Sequence, residues 1–421
     1  MQIKIDAARL RSELDTLAKF THAEPVANGT AVTRIVFSDD DLRARRWLKS
    51  LAADEGFAVR EDAVGNTFIR WAGTEPDLPA VATGSHIDAI PHAGMYDGTV
   101  GVLGGLEAMR ALKRSGVKLR RSLELVMLTS EEPTRFGIGC LGSRLMSGTL
   151  DPARADAMKD LQDKDGERTL GGVRAAVGFA GPLSGVRLPE GYYHGWIELH
   201  IEQGPLLERE KIPLGIVTSI AAPAGYRFTI GGFGGHAGAL LMPDRKDALC
   251  AAAEVILSLE RHVLGTGAID TVGTVGTCEV HPGAVNSVPS KVVLQVDLRD
   301  TDPARREGVI EAVRRDCEEI RRRRGVTIAE ELVNADAPAD CSPQIVEMLE
   351  TICAKSGLAY KKMVSRAYHD SLFLAQIAPI AMIFIPCRLG VSHKPDEYAT
   401  TEDIARGTQV LAEALAELAA D

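Results

Sequence analysis

Residues 83–98 read Thr-Gly-Ser-His-Ile-Asp-Ala-Ile-Pro-His-Ala-Gly-Met-Tyr-Asp-Gly, and what stands on either side of them decides the fold. Before them, residues 79–83 form a short apolar run suited to a buried strand. After them, Val102, Leu103, Leu106, Met109 and Leu112 recur at helical spacing, with Gly116 as a stop. The stretch is therefore predicted to be a loop at a strand's carboxyl end, the edge where open α/β sheets bind ligands. Gly84, Gly94 and Gly98 allow its backbone to approach an ion, and His86 and Asp97 are candidate metal ligands. A histidine or aspartate in a loop is more often a turn residue, so the reading needs support from elsewhere in the chain.

That support comes from three further strand patterns. Residues 122–128, Ser-Leu-Glu-Leu-Val-Met-Leu, exit into Glu131-Glu132-Pro; residues 196–200, Trp-Ile-Glu-Leu-His, deliver His200; and the apolar run 378–386 leads to Ser392-His393. Together these residues supply the imidazoles and carboxylates that two divalent ions sharing a bridging carboxylate and a water require. With 10 histidines in the chain, chance places one at a strand exit easily and three with difficulty. Asp88, two residues beyond His86, is the expected acceptor for that imidazole's second N–H. Adjacent side chains on an extended backbone point in different directions, so Glu132 is assigned to metal and Glu131 to proton transfer.

The remaining chain arranges itself around these strands. Helices are expected at 6–20 and 39–55, and paired strands at 58–60 and 66–71. Residues 151–192 give only a short helix and surface loops. From 214 the order is strand, strand, helix, strand, strand, helix, with a further strand at 327–333, the pattern of a small inserted α+β domain. The α/β pattern then resumes with Ser342 as a cap, Pro343 at the first helical position and Gly357 as a stop. The expected organisation is catalytic domain (1–213), inserted domain (214–329) and catalytic domain again (330–421). Within the insert, Val292, Leu294, Val296 and Leu298 share one face of a strand, and Gln295, Asp297 and Arg299 share the other. Arg299 suits bidentate binding of a carboxylate, or an ordinary ion pair with Asp297 or Asp300. His236 stands among Gly232, Gly234, Gly235 and Gly238, which clear side chains from around it. His369-Asp370 reads either as a pocket-wall pair or as a buried hydrogen-bonded pair.

Composition removes several function classes. The 421 residues carry 48 Lys and Arg against 58 Asp and Glu, a net charge of −10, which argues against a nucleic-acid or anionic-membrane surface. The basic run 321–324 ends an amphipathic helix, where cations are favoured by the negative end of the helix dipole. No apolar run reaches membrane-spanning length. The 7 cysteines are scattered and without C-x-x-C pairs, pointing to reduced thiols in the cytoplasm.

The motifs H-x-D, D-G, E-E-P-x-R-F-G, E-L-H-I-E-Q-G-P, G-H-A-G and a late S-H resemble the M20 family of dinuclear metallohydrolases, in its amidase, hydantoinase/carbamoylase branch, over nearly the whole chain. The resemblance implies a mixed-sheet α/β catalytic domain with an inserted ferredoxin-like lid that dimerises. It implies two Zn²⁺ or Mn²⁺ ions per subunit on His86, Asp97, Glu132, His200 and His393, with Asp97 bridging and Glu131 as general base. His236 would meet the oxyanion, from the partner subunit, while Gln203, Asn286 and Arg299 hold the substrate. The implied substrate is a small ureido carboxylate, ureidoglycolate first, with N-carbamoyl-L-amino acids or allantoate as alternatives and exopeptidase action less favoured. Members of the branch commonly carry Gly before the His-Asp pair, whereas Tyr368 stands here beside His369. If that loop lines the pocket, the phenol excludes bulky substrates; otherwise Tyr368 packs in the core.

Overall fold

The apolar runs become adjacent strands of one nine-stranded mixed sheet, in which Leu214–Ile220, Ile380–Ile385, Tyr193–Ile201, Ala80–His86, Leu123–Leu128, Thr67–Trp71 and Ala58–Glu61 lie side by side in that order. The computed structural model describes residues 3–421. Every residue of Ala80–His86, Leu123–Leu128 and Ile380–Ile385 is buried, which explains why these strands read as continuous apolar runs instead of alternating ones. Each large apolar side chain removed from water there contributes about 1.5–3 kcal/mol. Ile380–Ile385, Tyr193–Ile201, Ala80–His86 and Leu123–Leu128 run parallel to their neighbours in this group, while Leu214–Ile220 and Thr67–Trp71 close it antiparallel on either side. Four carboxyl ends therefore face one edge.

Local signals set the helices over this sheet. Thr99–Ser115 ends at Gly116, which takes the left-handed conformation, and Pro343–Lys355 begins with Ser342 accepting the Ile345 N–H. Thr99–Ser115 and Thr401–Ala420 pack on each other and on the strands Tyr193–Ile201 and Ala80–His86. A short strand the sequence reading missed, Ala89–Ala93, pairs with Val32–Arg34. Residues 151–192 hold two short helices, Pro152–Asp156 and Leu170–Ala176, each begun by a capping side chain.

The chain divides into two compact units, the first reaching Thr218 and resuming over Asp340–Met363 and His369–Asp421, the second comprising Ser219–Ala339 and Val364–Tyr368. The second starts later than residue 214 because Leu214–Ile220 pairs with Ile380–Ile385 in the large sheet. It runs past 329 because Thr327–Ala335 is a full strand, paired with Ala222–Gly231. Its elements are thus Ala222–Gly231, helix Ala248–Gly265, Val272–His281, Lys291–Asp300, helix Pro303–Arg324 and Thr327–Ala335. That is the split β-α-β order of a ferredoxin-like domain, with one fewer leading strand than expected. The four strands stand in the order Val272–His281, Lys291–Asp300, Ala222–Gly231, Thr327–Ala335. Tyr226, Phe228, Ile230, Val292, Leu294, Val296 and Leu298 form one core with apolar residues of the two helices, including Val255, Leu259, Ile310 and Val313. The alternation along Lys291–Asp300 follows directly from that one-sided packing.

Candidate metal centre

Each parallel strand delivers a side chain to the shared edge. His86 ends its strand, His200 is the penultimate residue of Tyr193–Ile201, Glu131 and Glu132 follow Leu123–Leu128, and His393 follows Ile380–Ile385. Asp97 stands between them, just before helix Thr99–Ser115. Its Oδ1 lies 3.6 Å from His86 Nε2 and 3.1 Å from His200 Nε2. Its Oδ2 lies 3.3 Å from His393 Nε2, which is itself 3.3 Å from Glu132 Oε1. One carboxylate thus joins two donor sets, His86-Asp97-His200 and Asp97-Glu132-His393, in each of which the ligand atoms all fall within 4.8 Å of one another. Gly98 is part of this geometry: its φ is +66°, and a Cβ there would sit 2.4 Å from His86 Nε2.

Hydrogen bonds fix which nitrogen faces the centre. His86 Nδ1 lies 3.0 Å from the Asp88 carbonyl and His200 Nδ1 lies 2.9 Å from the Ile201 carbonyl. A carbonyl only accepts, so both Nδ1 atoms carry a proton, and both Nε2 atoms face Asp97. This corrects the expected role of Asp88: its backbone oxygen, not its carboxylate, receives the imidazole N–H. The carboxylate accepts instead from the backbone N–H of Glu131 (3.3 Å) and Glu132 (3.0 Å), and so positions the acidic pair.

Electrostatically the centre is short of positive charge. Burial raises the Asp97 pKa, but His200, His393 and His86 outweigh it and hold the carboxyl well below the usual carboxylate range. Asp97 and then Glu132 push His393 up to about 11. Burial drives Glu131 well above its ordinary value, with His86 opposing and Glu132 and Asp370 adding to the rise. Glu131 Oε2 stands 3.7 Å from His86 Nε2, at the margin of the cluster. The buried carboxylates of Asp97 and Glu132 and the Nε2 atoms of three histidines converge on one small space, a donor set that suits cations. Nitrogen and carboxylate donors in this mixture fit borderline divalent ions. His86, Asp97 and His200 would hold one ion, and Asp97, Glu132 and His393 another.

Other expected residues divide between the two units. In the first, Gln203 Nε2 donates to Asp97 Oδ2 at 2.7 Å, while its buried Oε1 has no partner among the described residues. His369 is buried edge-on to the His200 ring, with centroids 4.5 Å apart, and Asp370 accepts from Ser143. In the second, His236 and Ser287 pair across a two-stranded ribbon, and the Asn286 carbonyl accepts the Ala237 N–H. His236 is exposed there, and its Nδ1 accepts from Gly238. Arg299 makes the ion pair left open by the sequence, to Asp297 at 2.7 Å, and its guanidinium lies 5.4 Å from the Tyr368 ring centroid. Tyr368 is half-buried, not a core residue.

Several contributors escaped the sequence reading. Glu198 accepts from Ser85 and Ser371 behind His200. Cys140 donates its thiol to Glu131 at 3.5 Å. Ser392 and Glu397 stand beside Asp97. The signal for Glu397 was its position four residues after a candidate ligand, His393.

Residues 82–417 match the description Peptidase family M20/M25/M40. The chain belongs to that family. It is 52% identical over 417 residues to ureidoglycolate hydrolase of Oryza sativa subsp. japonica, covering 98% of this chain and 85% of that protein. It is 39% identical over 385 residues to N-carbamoyl-L-amino acid amidohydrolase of Geobacillus stearothermophilus, covering 90% and 91%. Among solved structures it superimposes on AtUAH in complex with glyoxylate with a TM-score of 0.89 and 50% identity, covering 100% of this chain and 99% of the other. With these relatives, the chain is a hydrolase of the M20 family. Among the described residues no helix is long and apolar enough to cross a membrane.

Proposed function

We propose that this hydrolase cleaves the terminal ureido group of a small carboxylate, ureidoglycolate, using two divalent ions on His86, Asp97, Glu132, His200 and His393. The observation that carries the chemistry is Asp97, whose two oxygens face separate donor sets. Zn²⁺ or Mn²⁺, when bound, would polarise the ureido carbonyl and acidify a water. Glu131, raised by burial, is suited to accept that water's proton and to return it to the departing nitrogen. The terminal C–N bond breaks, the nitrogen leaves as ammonia, and the resulting carbamate loses carbon dioxide. The amino-hydroxy acid that remains releases a second ammonia to give glyoxylate.

The substrate's polar ends need donors and acceptors matched to them. Gln203 Oε1, buried and unpartnered, is available to a ureido N–H. His236 is assigned to the oxyanion, acting from a partner subunit in a lid-mediated homodimer, with Asn286, Arg299, Tyr368 and His369 on the substrate. All 7 cysteines are free thiols, which supports a reducing, cytoplasmic setting. The substrate assignment rests on the 52% identity to a ureidoglycolate hydrolase along 98% of the chain.

The test combines a metal count on purified protein with ammonia release from ureidoglycolate, allantoate, N-carbamoyl-β-alanine and N-carbamoyl-L-amino acids. Two ions per chain and a preference for ureidoglycolate are expected. Preference for an N-carbamoyl-L-amino acid would move the chain to the function of its 39%-identical relative.

A further inference from the structure

Glu397 is a buried carboxylate, 3% exposed, and among the described residues no Lys or Arg pairs with it. Burying an anion among neutral donors is costly, so its placement calls for a reason. Its contacts supply one. Oε1 accepts the backbone N–H of Tyr96 at 2.8 Å and of Asp97 at 3.1 Å. Oε2 lies 2.9 Å from Ser392 Oγ, which lies 2.7 Å from Asp97 Oδ2, so a single hydroxyl proton is shared between the two carboxylates. The Glu397 N–H donates to the Lys394 carbonyl at 3.0 Å, turning the chain back so that the side chain meets the segment carrying His393. The opposite loop is shaped to receive it: a Cβ on Gly94 would stand 2.3 Å from Glu397 Cβ and 2.5 Å from its Oε1.

We propose that Glu397 is a positioning residue that, with Ser392, braces Asp97 in the bridging orientation and ties the Asp97 loop to the His393 segment. The inference rests on the two-ion reading of the centre. Asp97 Oδ2 is the oxygen shared with His393 and Glu132, so the brace acts first on the ion held by that set. Partners behind a ligand typically govern metal affinity without touching the metal.

Metal-free wild type, Glu397→Ala, Glu397→Gln and Ser392→Ala would be titrated with Zn²⁺ and with Mn²⁺ against a competing chelator, alongside the melting temperature of each metal-free protein. Glu397→Ala is expected to weaken one of the two ions about 10–100-fold, whereas Glu397→Gln, whose Oε1 keeps both backbone N–H groups, stays within about threefold of wild type. Ser392→Ala should weaken the same ion by less. The metal-induced rise in melting temperature should shrink in Glu397→Ala, which a role confined to folding would leave in place. Wild-type affinity for both ions in Glu397→Ala, or equal losses in the Ala and Gln variants, would overturn the brace. If Glu397→Ala does not fold, Ser392→Ala decides: selective weakening of one ion supports the proposal and unchanged affinity overturns it. A wild type that binds no metal would instead overturn the two-ion reading itself.

Discussion

The strand edge around Asp97 and the face around Arg299 both gather charged side chains, yet they are built in opposite ways. At the edge, His86, Asp88, Asp97, Glu132 and His200 are buried, and their partners come from distant parts of the chain: Gly98 N–H to His200, Glu131 N–H to Asp88, Asp97 N–H to Glu397. In the second unit, Arg299 pairs with Asp297 two residues away, and His236 and Asn286 are exposed on a two-stranded ribbon. Buried charges cross-braced over long sequence separations are held in one geometry before any ligand arrives. Half-buried and exposed side chains such as these exchange contacts with water more readily than buried ones. The first region is suited to fixed chemistry and the second to contacts made on binding.

The sharpest break in that contrast would come from Glu131. Glu131→Gln keeps shape but accepts no proton, so kcat should fall about 10²–10⁴-fold while metal content stays at wild-type level. Near-normal turnover with metal bound would remove the edge's claim to the chemistry. His236→Ala should lower kcat about 10²–10³-fold with little change in KM, as expected of a group that acts mainly on the transition state. Mixing it with Glu131→Gln should recover activity if His236 works across a dimer; no recovery in verified heterodimers would confine the site to one subunit. Asp88→Ala, by freeing the backbone of Glu131 and Glu132, should weaken metal binding about 10–100-fold, and unchanged affinity in a chelator titration would show the acidic pair to be held otherwise. Arg299→Lys should raise KM for carboxylate substrates about tenfold, because a point charge replaces a planar fork; unchanged kinetics would leave Arg299 with its Asp297 pair alone. The smallest effect is expected at Tyr368. Tyr368→Gly should lower kcat/KM for ureidoglycolate a few-fold and raise it for allantoate, and parallel losses on both would mean the ring only supports Arg299.

What was legible in the sequence follows the same division. The parallel strands could be read because burial on both faces leaves unbroken apolar runs, and their exits carried the ligand types. Leu214–Ile220 was misplaced because a short apolar strand looks the same in either sheet, and only its pairing with Ile380–Ile385 decides its home. The actual role of Asp88 was hidden for a similar reason: spacing from His86 suggested a direct contact, whereas the carboxylate turns to backbone donors more than forty residues away in sequence. The roles of Glu397, Ser392 and Cys140 left no periodic trace, since each acts through contacts made only in three dimensions.

The position of Ile380–Ile385, between Tyr193–Ile201 and Leu214–Ile220, bears on how the protein is made. The strands and helices of the ferredoxin-like unit run without interruption from Ala222 to Ala335, so all of them leave the ribosome before the large sheet receives that inner strand. At a synthesis rate of about 5–20 residues per second, the slot beside Tyr193–Ile201 stays open for on the order of ten seconds or more. Until then the edge of Tyr193–Ile201 that takes Ile380–Ile385 lacks its partner and is open to pairing with other chains. His393 follows the missing strand, so a complete set of ligands arises only after the slot has been filled, and cation capture reports on a finished sheet.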